Sequence, residues 1–94
     1  MLKITFTEKV RAVVARIPRG EAWTYSEIAK LAGNARAARA VGNILHKNFD
    51  PEIPCHRVVR SDGKIGGFNR GQLQKIRKLK SEGLKISGDA IIKI

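Results

Sequence analysis

The sequence predicts an α+β domain on three observations. Several stretches carry apolar residues at three- and four-residue spacing behind a capping residue, so they read as short amphipathic helices. Gly33-Asn34 separates the second helix from the third by a tight turn. Two short β-branched runs flank Ser61-Asp62-Gly63 and read as a hairpin. Helix, turn, helix and then hairpin is the order of a winged helix-turn-helix, with the third helix as its recognition helix.

Each element has its own signal. Thr5 followed by Glu8 is a capping box, and Phe6, Val10, Val13, Val14 and Ile17 form one helical stripe that Pro18 and Gly20 stop. Thr24 and Glu27 repeat the box at the second helix, with Ile28 and Leu31 inward and Gly33 as C-cap. Tyr25 falls in its first turn, either as a core aromatic or as a phenol pointing past the helix end. Asn34 is the expected cap of a third helix from Ala35 to Leu45, with Val41, Ile44 and Leu45 inward. Arg36, Arg39 and Asn43 then share another face. Pro51 and Pro54 push Asp50 and Ile53 into extended conformations. Val58-Val59-Arg60 and Lys64-Ile65 make the hairpin, and residues 66–71 a turn whose glycines let backbone approach a ligand. The last clear helix runs from Gln72 to Ser81, with Leu73, Ile76 and Leu79 inward and Lys75, Arg77, Lys78 and Lys80 outward. Leu84-Lys85-Ile86 and Ala90 to Ile94 read as short strands or a frayed tail.

Ninety-four residues suffice for one domain with a single core. The exceptional quantity is charge: 19 Lys and Arg against 8 Asp and Glu give +11, the footprint of a protein that sits on phosphates. So large an excess of one sign self-repels without a polyanion. A single cysteine excludes an internal disulfide framework and points to a reducing setting, cytoplasmic or, in a eukaryote, nuclear. Cys55, His46 and His56 are too few soft ligands for a zinc site, so no metal and no cofactor is expected. No apolar run reaches membrane-spanning length, so no membrane partner is expected.

The third helix is unusual for a major-groove reader, because its outward residues are mostly alanine and glycine. Ala37, Ala38 and Gly42 either reflect simple helix propensity or let the backbone approach DNA closely. Arg39 in their midst favours the second account, since arginine suits a narrow, electronegative minor groove.

Chemistry concentrates at Pro54-Cys55-His56-Arg57-Val58. A thiol attacks as the thiolate, which nearby positive charge favours, so Cys55 is a candidate nucleophile. The alternative is a buried cysteine packed as a small hydrophobe. Adjacent residues on an extended chain face opposite ways, so Cys55 and His56 can cooperate only if the segment turns there.

These residues resemble the O6-alkylguanine-DNA alkyltransferases (methylated-DNA–protein-cysteine methyltransferases). The resemblance runs from about Phe6 to Gly83. It includes Gly20-Glu21 before Thr24-Tyr25, Ala37-Ala38-Arg39-Ala40-Val41-Gly42, Asn48, the Pro-Cys-His-Arg-Val run, Ser61-Asp62-Gly63, Gly66-Gly67-Phe68 and Ser81-Glu82-Gly83, in order and at the right spacing. It implies Cys55 as alkyl acceptor and His56 as the base that acts through a water, with Glu82 orienting His56. Tyr25 would donate a hydrogen bond or proton to the departing guanine, and Asn48 would brace the active-site turn. Arg39 would fill the space of the flipped nucleotide. Arg36, Ala37, Ala38, Gly42 and Asn43 would join Tyr25 and Arg39 against DNA. The pocket would comprise Pro54, the backbone of Cys55 and Val58, and Gly66, Gly67, Phe68 and Asn69.

The implied activity is DNA repair by single-turnover transfer of an alkyl group from guanine in duplex DNA to the protein. The implied partners are double-stranded DNA carrying alkylated guanine and, further off, other repair proteins, with the chain itself a monomer. Two features depart from the family pattern. The matching region starts almost at Met1, so residues 1–94 read as one domain without the usual N-terminal one, and Arg70 follows Asn69 in the pocket loop. The first departure raises a rival, the short alkyltransferase-like proteins that lack the acceptor cysteine and only flag alkylated DNA. A sequence-specific winged-helix regulator is a third possibility, opposed by the alanine face.

Overall fold

The computed structural model describes residues 4–67, 69 and 71–92. Phe68 and Arg70, both expected in the pocket loop, lie outside the described residues, as do Lys93 and Ile94 of the expected last strand. The chain is α+β. Its elements are α1 (Phe6–Ala15), β1 (Trp23–Thr24), α2 (Tyr25–Leu31), α3 (Ala38–His46), β2 (Val58–Val59), α4 (Gln72–Ser81), β3 (Ile86–Ser87) and β4 (Ala90–Ile91), with a 3-10 turn at Cys55–Arg57.

The helix starts follow their capping chemistry. The Thr5 hydroxyl accepts from the Glu8 amide at 3.2 Å, opening α1. At α2 both halves of the box form: Thr24 accepts from the Glu27 amide at 3.1 Å, and the Glu27 carboxylate accepts from the Thr24 amide at 3.4 Å. The third helix differs from expectation. Asn34 does not cap it, because its side-chain oxygen accepts from the Arg36 amide at 3.2 Å in a local turn. A further bond from the Ala37 amide to the Asn34 carbonyl tightens that turn. The helix therefore begins at Ala38, and Arg36 and Ala37 precede it rather than sharing a helical face with Arg39.

The core forms in two parts. Val10, Val14, Ile17, Ile28, Val41 and Val58 bury together between α1, α2 and α3. Val59, Ile65 and Leu79 form a second cluster under α4 and the last strands. Successive strand residues face opposite sides, so Val58 enters the first cluster and Val59 the second, and β2 joins them. Full burial of each valine stabilises by about 1.5–3 kcal/mol, which anchors the segment directly after Cys55.

The expected hairpin is rearranged. β2 pairs in parallel with β1, Trp23 opposite Val58 and Thr24 opposite Val59. Of the hairpin only a tight turn remains, closed by the Arg60 amide to the Lys64 carbonyl at 2.9 Å. Lys64 and Ile65 pair with the chain end instead, Lys64 bridging to Ala90 and the Ile65 amide donating to Asp89 at 2.7 Å. Residues 86–91 form the antiparallel pair β3–β4.

Three helix residues face opposite to their expected side. Leu31 is 55% and Leu73 62% exposed, whereas Lys75 is fully buried. Ala29 and Ala32 occupy the inner face that Leu31 vacates.

Candidate functional site

Cys55 sits where two cavities meet. The first, about 130 Å³, is walled by Tyr25, Gly42, Cys55, Gly67 and Asn69, with Leu45 and His46. The second, about 80 Å³, is also lined by Cys55, together with Asn48, Pro54, His56 and Asn69. Pro54 precedes the 3-10 turn, which the Arg57 amide closes onto the Pro54 carbonyl at 2.9 Å. The segment therefore turns at the cysteine, as cooperation between Cys55 and His56 requires.

The loop before the thiol is held by amides. Asn48 is nearly buried; its Nδ2 donates to the Ile53 carbonyl at 3.3 Å and its Oδ1 accepts from the Asp50 amide at 3.2 Å. Asn69 Nδ2 donates to the carbonyls of His46 at 2.9 Å and Asn48 at 2.6 Å. The Cys55 amide donates to Ile53 at 2.8 Å and the Val58 amide to Cys55. Neither amide hydrogen is therefore free for a ligand, and the Val58 side chain belongs to the core.

Behind the thiol lies an ionic knot. His56 Nε2 meets Glu82 Oε2 at 3.0 Å. Arg57 binds the same carboxylate twice, Nε to Oε1 at 2.9 Å and Nη2 to Oε2 at 2.7 Å, and its Nη1 donates to the Ile17 carbonyl at 2.7 Å. The bonds from Arg57, then those from His56, hold the Glu82 carboxyl down at about 2 against burial that opposes them. Burial pushes the His56 pKa down, reinforced by the Arg57 and Lys78 charges and opposed by Glu82. Neutral His56 facing an ionised carboxylate, which only accepts, carries its proton on Nε2 and leaves Nδ1 as a base. Arg57, two residues after the thiol in sequence, is spent on Glu82 and Ile17.

Tyr25 lines the first cavity, and Lys75 lies against its ring. Burial raises the Tyr25 phenol, and negative charge at Cys55 raises it further, so the phenol remains a donor at neutral pH. Lys75 Nζ donates to the Gly67 carbonyl at 3.1 Å and lies 5.6 Å from the Tyr25 ring centroid. Burial pulls its pKa down to about 8, with charge at Cys55 acting the other way. Lys75 stands one turn before the buried Leu79 on α4 and so shares its inner face, where the Gly67 carbonyl and the Tyr25 ring receive its ammonium.

Tyr25 and Gly42 also floor an open groove of about 600 Å³ that continues from the first cavity, bordered by Ala38, Arg39 and Asn43 on α3 and by Arg60 and Ser61. A Cβ on Gly42 would stand 4.0 Å from the Tyr25 ring, in the passage between cavity and groove. Arg36 and Ala37 do not border it. Gly66, with φ +76°, packs beneath Tyr25 and Arg60 rather than lining the cavity. Sequence reasoning missed Lys75 and Arg60. The charge run around Lys75 hid the first; Arg60 could have been found as the basic residue beside the Ser61-Asp62-Gly63 turn. Among the described residues no cluster of metal-ligating side chains forms, and no helix is long and apolar enough to cross a membrane.

Residues 5–84 match the family described as 6-O-methylguanine DNA methyltransferase, DNA binding domain. The chain is 43% identical over 83 residues to the methylated-DNA–protein-cysteine methyltransferase of Methanothermobacter thermautotrophicus, covering 88% of this chain and 47% of that one. It is 42% identical over 90 residues to the Escherichia coli DNA base-flipping protein, covering 94% and 69%. The crystal structure of S. pombe Atl1 in complex with damaged DNA containing O6-carboxymethylguanine superposes with a TM-score of 0.78 at 36% identity, covering 93% and 83%. The chain spans less than half the length of the first methyltransferases it matches.

Proposed function

The chain belongs to the 6-O-methylguanine DNA methyltransferase DNA-binding family, and from that premise we propose that it repairs O6-alkylguanine in duplex DNA by irreversible alkyl transfer to Cys55. The observation that carries this reading is the position of Cys55, which lines both the cavity walled by Tyr25 and a second cavity shared with His56.

The fold is then a single winged helix-turn-helix, with α2 and α3 as the helix pair and residues 60–64 as a minimal wing. An alkyl group on guanine O6 is out of reach inside a duplex, so the base must leave the stack. The small residues Ala38 and Gly42 allow close approach of α3, Arg39 fills the vacated space, and the +11 charge holds phosphates without regard to sequence. The flipped base enters the first cavity through the passage that Gly42 keeps open.

In the second cavity His56 Nδ1 takes the Cys55 proton through a water, for which about 80 Å³ is ample. The thiolate attacks the alkyl carbon, a C–S bond forms, and the bond from that carbon to O6 breaks. Tyr25 supplies a hydrogen bond or proton to the guanine anion that leaves. The thioether product does not hydrolyse, so each molecule acts once.

The test is mass spectrometry after incubation with duplex containing O6-methylguanine. The Cys55 peptide should gain one CH2, and Cys55→Ser should abolish the gain while leaving DNA binding intact. Binding to alkylated duplex with no adduct under excess substrate would overturn transfer and leave a protein that only flips and marks the base.

A further inference from the structure

We propose that Arg60 is a second arginine clamp on the DNA backbone, bordering the same groove as Arg39 and held by Asp62 until a phosphate displaces that carboxylate. The inference deepens the DNA-binding reading above and rests on it. Arg39 on α3 and Arg60 on the turn after β2 both border the groove, which shares Tyr25 and Gly42 with the Cys55 cavity. Among the described residues bordering this groove there are two arginines and no carboxylate.

Packing brings Arg60 to that position. A Cβ on Gly66 would lie 3.2 Å from Arg60 Cγ and 3.6 Å from Tyr25 Cε2, so glycine alone lets the arginine stem lie beside the tyrosine ring. The positive φ of Gly66, +76°, would strain any larger residue there for a second reason. The stem is thus fixed while the guanidinium remains accessible, Arg60 being 56% exposed.

The turn also supplies a stand-in anion. Asp62 Oδ1 accepts from the Lys64 amide at 3.0 Å, which orients the carboxylate, and Oδ2 meets Arg60 Nη2 at 2.9 Å. An exposed ion pair of this kind is weak and exchangeable. A backbone phosphodiester offers the same fork of two anionic oxygens with the same single charge, and the counterions condensed on DNA gain entropy on release. Asp62 therefore keeps Arg60 in a binding pose in the free protein and competes with DNA for it.

The experiment measures binding to duplex, with and without O6-methylguanine, by fluorescence anisotropy across a salt series. Arg60→Gln should lower the slope of log affinity against log salt by about 0.9 on both duplexes, the loss of one phosphate contact. Arg60→Lys should restore most of that slope. Asp62→Asn, which keeps the oxygen facing the Lys64 amide, should tighten binding about twofold to fivefold at low salt. An unchanged slope in a folded Arg60→Gln protein overturns the proposal, as does weaker binding by Asp62→Asn. Missing adduct with these binding effects intact would sink only the transfer reading, whereas no duplex binding by the unaltered chain would sink both.

Discussion

Replacing Glu82 by glutamine tests whether the ionic knot behind Cys55 stabilises the fold as well as orienting His56. Glu82 is 8% exposed and accepts two bonds from Arg57 and one from His56. Its carboxyl is held at about 2 against an ordinary 4.5. At about 1.36 kcal/mol per pKa unit, that difference corresponds to about 3 kcal/mol of stability. A carboxylate with a depressed pKa contributes this fully above pH 4.5 and loses it as pH falls toward 2. A small domain has about 5–15 kcal/mol in all, so the loss is large. Urea unfolding at pH 7 should therefore show Glu82→Gln less stable by about 3 kcal/mol, since Arg57 is left half-paired. The gap should close as pH falls toward 2, because a protonated glutamate is nearly isosteric with glutamine. A gap that stays constant from pH 7 down to the lowest pH measured would refute the linkage argument.

Two further outcomes follow from the same geometry. Lys75 is fully buried with its pKa at about 8 instead of 10.5. Folding therefore carries a penalty of about 3 kcal/mol below pH 8 that is relieved as pH rises to 10.5. The stability difference between the unaltered chain and Lys75→Met should move by about that amount over this window, and a flat difference would contradict the burial account. Arg39→Ala should slow transfer from duplex DNA at least tenfold while changing transfer from free O6-alkylguanine little, since the lost contribution is to base extrusion. Equal losses on the two substrates, measured by adduct formation, would remove the arginine-plug role.

Helix positions were legible because caps and apolar spacing act locally. Thr24 and Glu27 form their box as written, and α4 spans Gln72–Ser81 as its periodicity predicts. The start of α3 was not legible, because Asn34 has two local uses for one oxygen and the Arg36 amide takes it. Strand partners were not legible either. The run at Val58-Val59 reads as half a hairpin, yet it pairs with Trp23-Thr24, far back in the chain. A short strand carries no record of its partner, since backbone bonds are the same whichever strand is beside it.

By itself the sequence determined the charge that favours phosphates, the helices, and the ordered set around Cys55, His56 and Glu82 that marks the family. These are local or additive properties, carried by residue type and spacing. Only the tertiary structure decided what those residues touch. It gave Arg57 to Glu82 and Ile17 rather than to the thiol, and set Lys75 under Tyr25 with its bond to Gly67. It also brought Arg60 to the same groove as Arg39. Each of these contacts joins positions well separated along the chain or depends on which way a side chain turns. The energy of burying a charge against a partner settles that only once the backbone has brought the two together.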